Sequence, residues 1–386
     1  MKSVFWLLLL IALVAAGWIN RDKLHGLVGK SATAEEAATP NPQMAVASIP
    51  AAPQTKPLPT SAALPSTPSP PVQLAEVIRK YRDSFVFASG ANGAGSGFIA
   101  NMNGKTFLLT NAHVAAGIRG APFKTLQRPA IRTATAAAAV GCDIVAMQTE
   151  PTSTPPFEIM RNVENEATLG DDVAVLSNAA GGSEINSNMG HIVEIGPDIV
   201  VIDAPFVPVD SGGPIIHLKT SKVIGVATFL SIRRFDLATR KVLADPLIRR
   251  FGYRIDTPKT WQPINWPAFQ AQAAELDNIE KLTKDFIALI KDMAENGQVN
   301  PAAHTNPAIA SHVREWQADK SKHLSPSDRV NSNRSFVSFL KTTSQADVIS
   351  AQPRMTYDFF QRQLADQQRE RAEIASIFPK FAESAN

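Results

Sequence analysis

Ser211 sits in Val209-Asp210-Ser211-Gly212-Gly213-Pro214, between two strand-like runs, Ile199-Val200-Val201-Ile202 and Ile215-Ile216-His217-Leu218. A serine on a tight turn before two glycines can expose its hydroxyl. The glycines, lacking Cβ, also let another backbone come close. A hydroxyl alone is a poor nucleophile. It attacks a carbonyl only with a base to take its proton and donors for the oxyanion that forms. Taken alone, the stretch reads better as a Gly-rich hairpin turn that happens to hold a serine, so its partners must decide.

The base should be a histidine from the same strand-rich region, where His113, His191 and His217 qualify by position. His113 ends Leu108-Leu109-Thr110-Asn111-Ala112-His113, where a loop after a strong strand can present it. His191 and His217 fall inside strand patterns and read as surface or sheet positions. The carboxylate that orients the base should be partly buried. Asp143 meets this requirement, opening the apolar run Ile144-Val145-Ala146-Met147, whereas Asp171, Asp172 and Asp198 read as turn residues.

These residues need a scaffold, and the chain supplies several textures. Its 386 residues favour two domains plus tails, and 44% hydrophobic residues suffice for a core. The net charge of +3, without any Lys/Arg-rich block, implies no nucleic-acid partner. A single cysteine, Cys142, excludes an internal disulfide framework and cannot by itself complete a cysteine-based zinc site. No cluster of metal ligands stands out, and the chemistry above needs neither metal nor organic cofactor.

Residues 1–20 carry Lys2 and the apolar run Val4 to Ile19, followed by Arg21 and Lys23. That pattern fits a removed signal peptide, with Val14-Ala15-Ala16 as cleavage site, or an uncleaved membrane anchor. Both readings put the bulk of the chain outside the cytoplasm: periplasm, cell envelope or extracellular space. Residues 33–72 are rich in Ala, Pro, Ser and Thr, a composition of disordered linkers that cannot build a core.

From Leu74 to Tyr81 the pattern predicts a short helix. Short strand-like runs then follow as far as Asp256, with Asn103-Gly104 as a type I′ hairpin signal between two of them. Many short strands with turn residues between them argue an antiparallel barrel or sandwich over 73–256. Over 263–386 the period becomes helical: Leu276, Ile279, Leu282, Phe286, Ile290 and Met293 make one stripe, ending at Asn296-Gly297. Further helices are expected near 307–321, 327–348 and 354–377, and this helical domain shows no chemical motif.

Thr110-Asn111-Ala112-His113, Asp143-Ile144-Val145-Ala146 and Asp210-Ser211-Gly212-Gly213-Pro214 resemble the three signatures of trypsin-like serine proteases. The order His, Asp, Ser is that of the chymotrypsin-type triad. Gly95-Ser96-Gly97-Phe98-Ile99 and Ile202-Asp203-Ala204-Pro205-Phe206-Val207-Pro208 resemble the bacterial HtrA-type branch in particular. The likeness covers about 75–256 and implies an all-β protease domain of two six-stranded antiparallel barrels, followed here by an α-helical C-terminal domain. The HtrA-type branch would place a PDZ domain there, and its peptide regulation is not carried over.

The resemblance implies Ser211 as nucleophile, His113 as general base and then acid, and Asp143 as the group holding the imidazole. It implies an oxyanion hole from the backbone N–H groups of Val209 and Ser211. It also implies a specificity pocket near Phe206, Val226, Ala227 and Thr228, whose lack of a carboxylate disfavours Lys and Arg and leaves small or medium apolar side chains. The family has glycine where Val209 stands, and β-branching restricts the backbone there. No start suited to pairing with Asp210 is visible, so an arginine partner is an alternative for that carboxylate. The expected function is an exported or membrane-tethered serine endopeptidase with protein or peptide substrates. The alternative is a catalytically weak or inactive protease-fold interaction module of the cell envelope, and a remoter one is a structural envelope tether.

Overall fold

The computed structural model describes residues 70–90, 93–126, 130–150, 155–178, 185–235, 242–296, 306–322 and 324–384. The expected signal or anchor and most of the expected linker, residues 1–69, lie outside the described residues. Helix α1 (Pro70–Tyr81) begins inside the stretch expected as linker. Its two prolines occupy the first turn, where no intrahelical N–H is needed. Among the described residues, no helix is long and apolar enough to cross a membrane.

Among the described residues, twelve strands form two antiparallel sheets. The first runs in the order β1 (Phe85–Gly90), β2 (Gly93–Met102), β3 (Lys105–Thr110), β5 (Val145–Thr149), β4 (Thr133–Ala139) and β12 (Trp261–Pro263). Asn103 and Gly104 join β2 to β3 with φ of 53° and 80°, the left-handed pair a type I′ turn requires. The second sheet closes into a barrel through β10 (Lys222–Phe235), β11 (Val242–Arg254), β8 (Ile199–Ile202), β7 (Asn186–Ile195), β6 (Asp172–Ser177) and β9 (Pro214–His217).

The expectation of two closed barrels is therefore met by one barrel and one open sheet. The free edge of β1 is taken by Lys124, whose backbone exchanges two 2.9 Å hydrogen bonds with Phe87. At the other edge, β12 pairs with β4, and the chain then leaves as α4 (Trp266–Asn296). β12 also lies beyond Asp256, so the sheet extends past the end expected for the strand-rich region.

An open sheet leaves a face that its own strands cannot cover. Val86, Ile99, Leu108, Ala138, Val145 and Met147 alternate onto that face. Phe269, Leu276 and Ile279 of α4 cover it, together with Phe360 and Leu364 of α7 (Asp358–Ser384). The other face carries Phe85, Phe98, Ala100, Leu109 and Ala146, and meets α1 and the barrel. Burial on both faces explains why these strands read as continuous apolar runs rather than alternating ones.

Farther out, α5 (Pro307–Ser321) and α6 (Pro326–Ala351) build a second helical core with α4, around Phe286, Leu289, Trp316 and Phe336. The buried Arg371 of α7 ties three helices together. It donates to Thr283 Oγ1 at 2.6 Å and to Ile279 O on α4, and pairs with Asp347 on α6. Each of these partners keeps the guanidinium from being a stranded charge.

Because the helices complete the core of the sheet, Phe360→Ala is expected to destabilise the whole protein by about 3–5 kcal/mol. Urea unfolding followed by far-ultraviolet circular dichroism would check it. A loss below about 1 kcal/mol would mean the ring carries no core load.

Candidate active site

His113 is the second residue of α2 (Ala112–Gly117), which starts directly after β3. Asn111 ends β3's extended backbone with φ −80° and ψ 152°, and the chain turns helical at Ala112. Asp143 lies in the tight connection from β4 to β5. The two side chains meet: His113 Nδ1 is 2.6 Å from Asp143 Oδ2, and the His113 backbone N–H donates to Oδ1 at 3.0 Å. Both carboxylate oxygens are thus occupied by one residue, which fixes the ring plane and assigns the proton to Nδ1. That leaves Nε2 to accept a proton. The His113 side chain is 33% exposed and that of Asp143 13%, so the ring is reachable while its anchor is shielded.

Ser211 follows a 3-10 turn (Pro208–Asp210) on the way from β8 to β9. Gly212 stands at φ +87°, and a Cβ there would lie 2.0 Å from Ser96 O, so only glycine fits. The close partner is Gly95-Ser96-Gly97 of β2. Ser96 N–H donates to Ser211 O at 2.9 Å, and Thr110 Oγ1 donates to Ser96 O at 2.7 Å. One strand of the open sheet thereby seats the serine turn of the barrel.

Ser211 is not hydrogen-bonded to His113. Its hydroxyl donates to Thr228 O at 3.0 Å, and its backbone N–H donates to Pro208 O at 3.3 Å. The expected oxyanion donor at Ser211 is therefore spent on the protein's own carbonyl. Val209 is the first inner residue of that turn and does not adopt positive φ.

Asp210 is buried, and the arginine considered for it is not among its partners. Oδ2 accepts from Val207 N–H at 2.7 Å and from Asn188 Nδ2 at 3.2 Å. Burial pushes its pKa above the ordinary carboxylate range, against the pull of those donors.

The residues expected to line the specificity pocket are buried. Phe206 and Ala227 belong to the interior of the barrel, with Val200, Ile202 and Ile215. Val226 faces the cluster between barrel and sheet, and Thr228 is 5% exposed. His217 is fully buried and bonded to Asp171 and Thr220, while His191 lies exposed near Asp172 and Asp203. Neither reaches Ser211.

Asn111 has a part that its place in the motif did not announce. Its Nδ2 donates to Asp143 O at 2.7 Å and to Thr228 Oγ1 at 3.0 Å. Thr228 Oγ1 in turn donates to Val226 O at 2.9 Å. A single buried amide therefore links the carboxylate loop to the strand whose carbonyl takes the serine hydroxyl. Asparagine directly before Ala-His was the only signal available, and spacing cannot give it that role.

Residues 95–226 match the family model of the trypsin-like peptidase domain. No curated protein matches the chain. Among solved structures, the chain is similar to the active form of the Rv3671c protease from M. tuberculosis, at 21% identity and a TM-score of 0.35. That match covers 55% of this chain and 97% of that one. It is also similar to the serine endoprotease from Yersinia pestis, at 20% identity and a TM-score of 0.34, covering 49% of this chain and 63% of that one. Residues 95–226 are therefore a trypsin-like peptidase domain, which draws its strands from both the open sheet and the barrel.

Proposed function

We propose that this chain is an exported or membrane-tethered endopeptidase working through a His113–Asp143–Ser211 triad and an acyl-enzyme. The 2.6 Å contact of His113 Nδ1 with Asp143 Oδ2, on a ring whose Nε2 can still accept a proton, carries the reading. Ser211 Oγ would attack the scissile carbonyl and pass its proton to Nε2, and the imidazolium would return that proton to the leaving amine. Asp143 holds the tautomer and balances the charge on the ring. Water then repeats the cycle on the ester. The apolar run Val4 to Ile19 supports export or tethering, and the motifs around Gly95 and Asp203 support the HtrA-type branch.

Ser211 rests in a closed state. Its hydroxyl must leave Thr228 O for the ring, and its N–H must leave Pro208 O for the substrate oxyanion. Releasing the Pro208 carbonyl requires the Pro208–Val209 peptide to turn over. A peptide flip rotates φ of the following residue by about half a turn, from the negative to the positive side. Positive φ at a β-branched residue is strained, by about 1–3 kcal/mol. That strain slows acylation by about one order of magnitude per 1.4 kcal/mol. Val209 thus favours a slow enzyme, and it is the observation behind the second reading, a protease-fold module of low turnover.

A fluorophosphonate probe separates these readings. Labelling of the protein that disappears in Ser211→Ala and in His113→Ala is expected, at a low rate. Val209→Gly is expected to raise that rate about tenfold or more, by removing the strain on the flipped turn. Absence of labelling in both the native protein and Val209→Gly would sink the enzyme reading.

Asp210 gives a pH signature for the same turn. A carboxyl with a raised folded pKa favours the fold when protonated, and that contribution is lost as pH rises through the raised value. Asp210→Asn stays neutral while its oxygen still accepts from Val207 and Asn188. Its Tm relative to the native protein is expected to be higher at pH 8 than at pH 4. A difference that is flat or falls with pH would show that the buried charge is not the cost.

A further inference from the structure

The short loop that delivers Asp143 is held partly from outside its own sheet. It connects β4 to β5, and Ala139 N–H to Ile144 O at 2.9 Å closes its base. Its outward backbone groups go elsewhere. Val140 N–H donates to Thr260 O at 2.9 Å, and Gly141 N–H donates to Asp358 Oδ2 at 2.8 Å. Cys142 O accepts from Arg362 Nη2 at 3.1 Å. Asp358 and Arg362 are bonded to each other, Nε to Oδ2, at 2.9 Å, one turn apart at the start of α7. Tyr253 of β11 also lies near the Arg362 guanidinium.

The element carrying His113 is gripped from α4 in a similar way. Gln270 Nε2 donates to Ala115 O at 3.3 Å, Arg119 Nη1 donates to Gln270 O at 3.2 Å, and Arg119 pairs with Asp277. The helical domain therefore reaches the backbone on both sides of the His113–Asp143 hydrogen bond.

We propose that Asp358 and Arg362 are positioning residues for the triad: they fix the Gly141 and Cys142 peptides and so set where the Asp143 carboxylate stands against His113. This rests on the triad reading. A half-buried ion pair one helical turn apart contributes little stability on its own. Its charge-assisted bonds to two peptides directly before Asp143 are directional, and direction is what a hydrogen-bonded base and orienter require. The substrate touches neither residue in this scheme. The helical domain accordingly acts as part of the catalytic scaffold rather than as an appended module.

The test uses the full chain with Arg362→Ala and Asp358→Ala. Arg369→Ala serves as control, since Arg369 pairs with Asp366, exposed on the same helix. Peptidase assays are expected to show kcat lowered about tenfold or more in the two clamp variants, with KM little changed. Arg362→Lys and Asp358→Asn, which keep one donor or acceptor, are expected to recover part of the rate. The His113 Nδ1–H proton, seen far downfield in proton NMR, gives a readout that needs no turnover. It is expected to shift or broaden in both alanine variants and to stay put in Arg369→Ala. If fluorophosphonate labelling shows the native protein to be inert, the triad reading fails, yet the NMR comparison still decides the clamp. An unchanged resonance, or a kcat that falls only as the folded fraction falls, overturns the proposal.

Discussion

A six-stranded sheet that stays open must find its second half elsewhere. Here the edge of β1 is paired with Lys124, and β12 hands the chain to a helix, so no strand among the described residues closes the circle. Ile99, Leu108, Val145 and Met147 would then face water without Phe269, Leu276 and Phe360. Burying a side chain of this size contributes about 1.5–3 kcal/mol, so several together outweigh the cost of leaving the sheet open. The helical domain is thereby bound to the sheet by its core rather than by a linker. Its polar residues fall next to α2 and the Asp143 loop as a consequence.

The groups of the proposed triad come from two sheets that share no ladder. His113 and Asp143 belong to the open sheet, whereas Ser211 belongs to the barrel. Buried contacts join them, two of which bear on the site. Ser96 N–H holds the carbonyl of Ser211, and Asn111 spans from the Asp143 backbone to Thr228. Both are buried hydrogen bonds, in places where an unmade partner is costly. The division between sheets therefore does not leave the serine loose. It leaves it seated, with its hydroxyl turned toward Thr228 O.

Much of this was legible from residue types. Asn103-Gly104 specifies one backbone turn, and the runs at Phe107–Leu109 and Ile144–Met147 are strands buried on both faces. His113 and Asp143 were readable because each stands at the end of such a run. The helical stripe from Leu276 to Met293 was plain for the same reason. What sequence could not convey are contacts made across long separations. β11 breaks its pattern with Asp245-Pro246 and Arg249-Arg250, and only its pairing with β8 and β10 makes it a strand. Asn111 and Thr228 lie 117 positions apart, and Gly141 and Asp358 lie 217 apart. Whether a barrel closes depends on which edge Lys124 occupies, and no local propensity encodes that. Three of the four side chains expected to line a specificity pocket are apolar, as a pocket and a core both require, and the barrel interior holds Phe206 and Ala227.

The two halves of the site differ in readiness, and the difference has a physical basis. The base half is preorganised: the carboxylate is saturated by one residue and its loop is tied down by backbone bonds. The serine half is closed, because Ser211 N–H and hydroxyl both bond to carbonyls of the protein. Hydrogen bonds of this kind are exchanged rather than lost when substrate arrives, so their net cost is small, about 1 kcal/mol each. Backbone strain in the flipped turn would add to that cost, and it would fall on Val209. A glycine would let the Pro208–Val209 peptide turn over freely, whereas valine is strained by the same motion. Asp210 adds to the barrier by capping the closed turn through Val207 N–H. A substrate that fills the site well can supply that strain energy from contacts remote from the scissile bond, and one that binds poorly cannot. Under the proposed triad, selectivity would then come first from which peptides can open the turn.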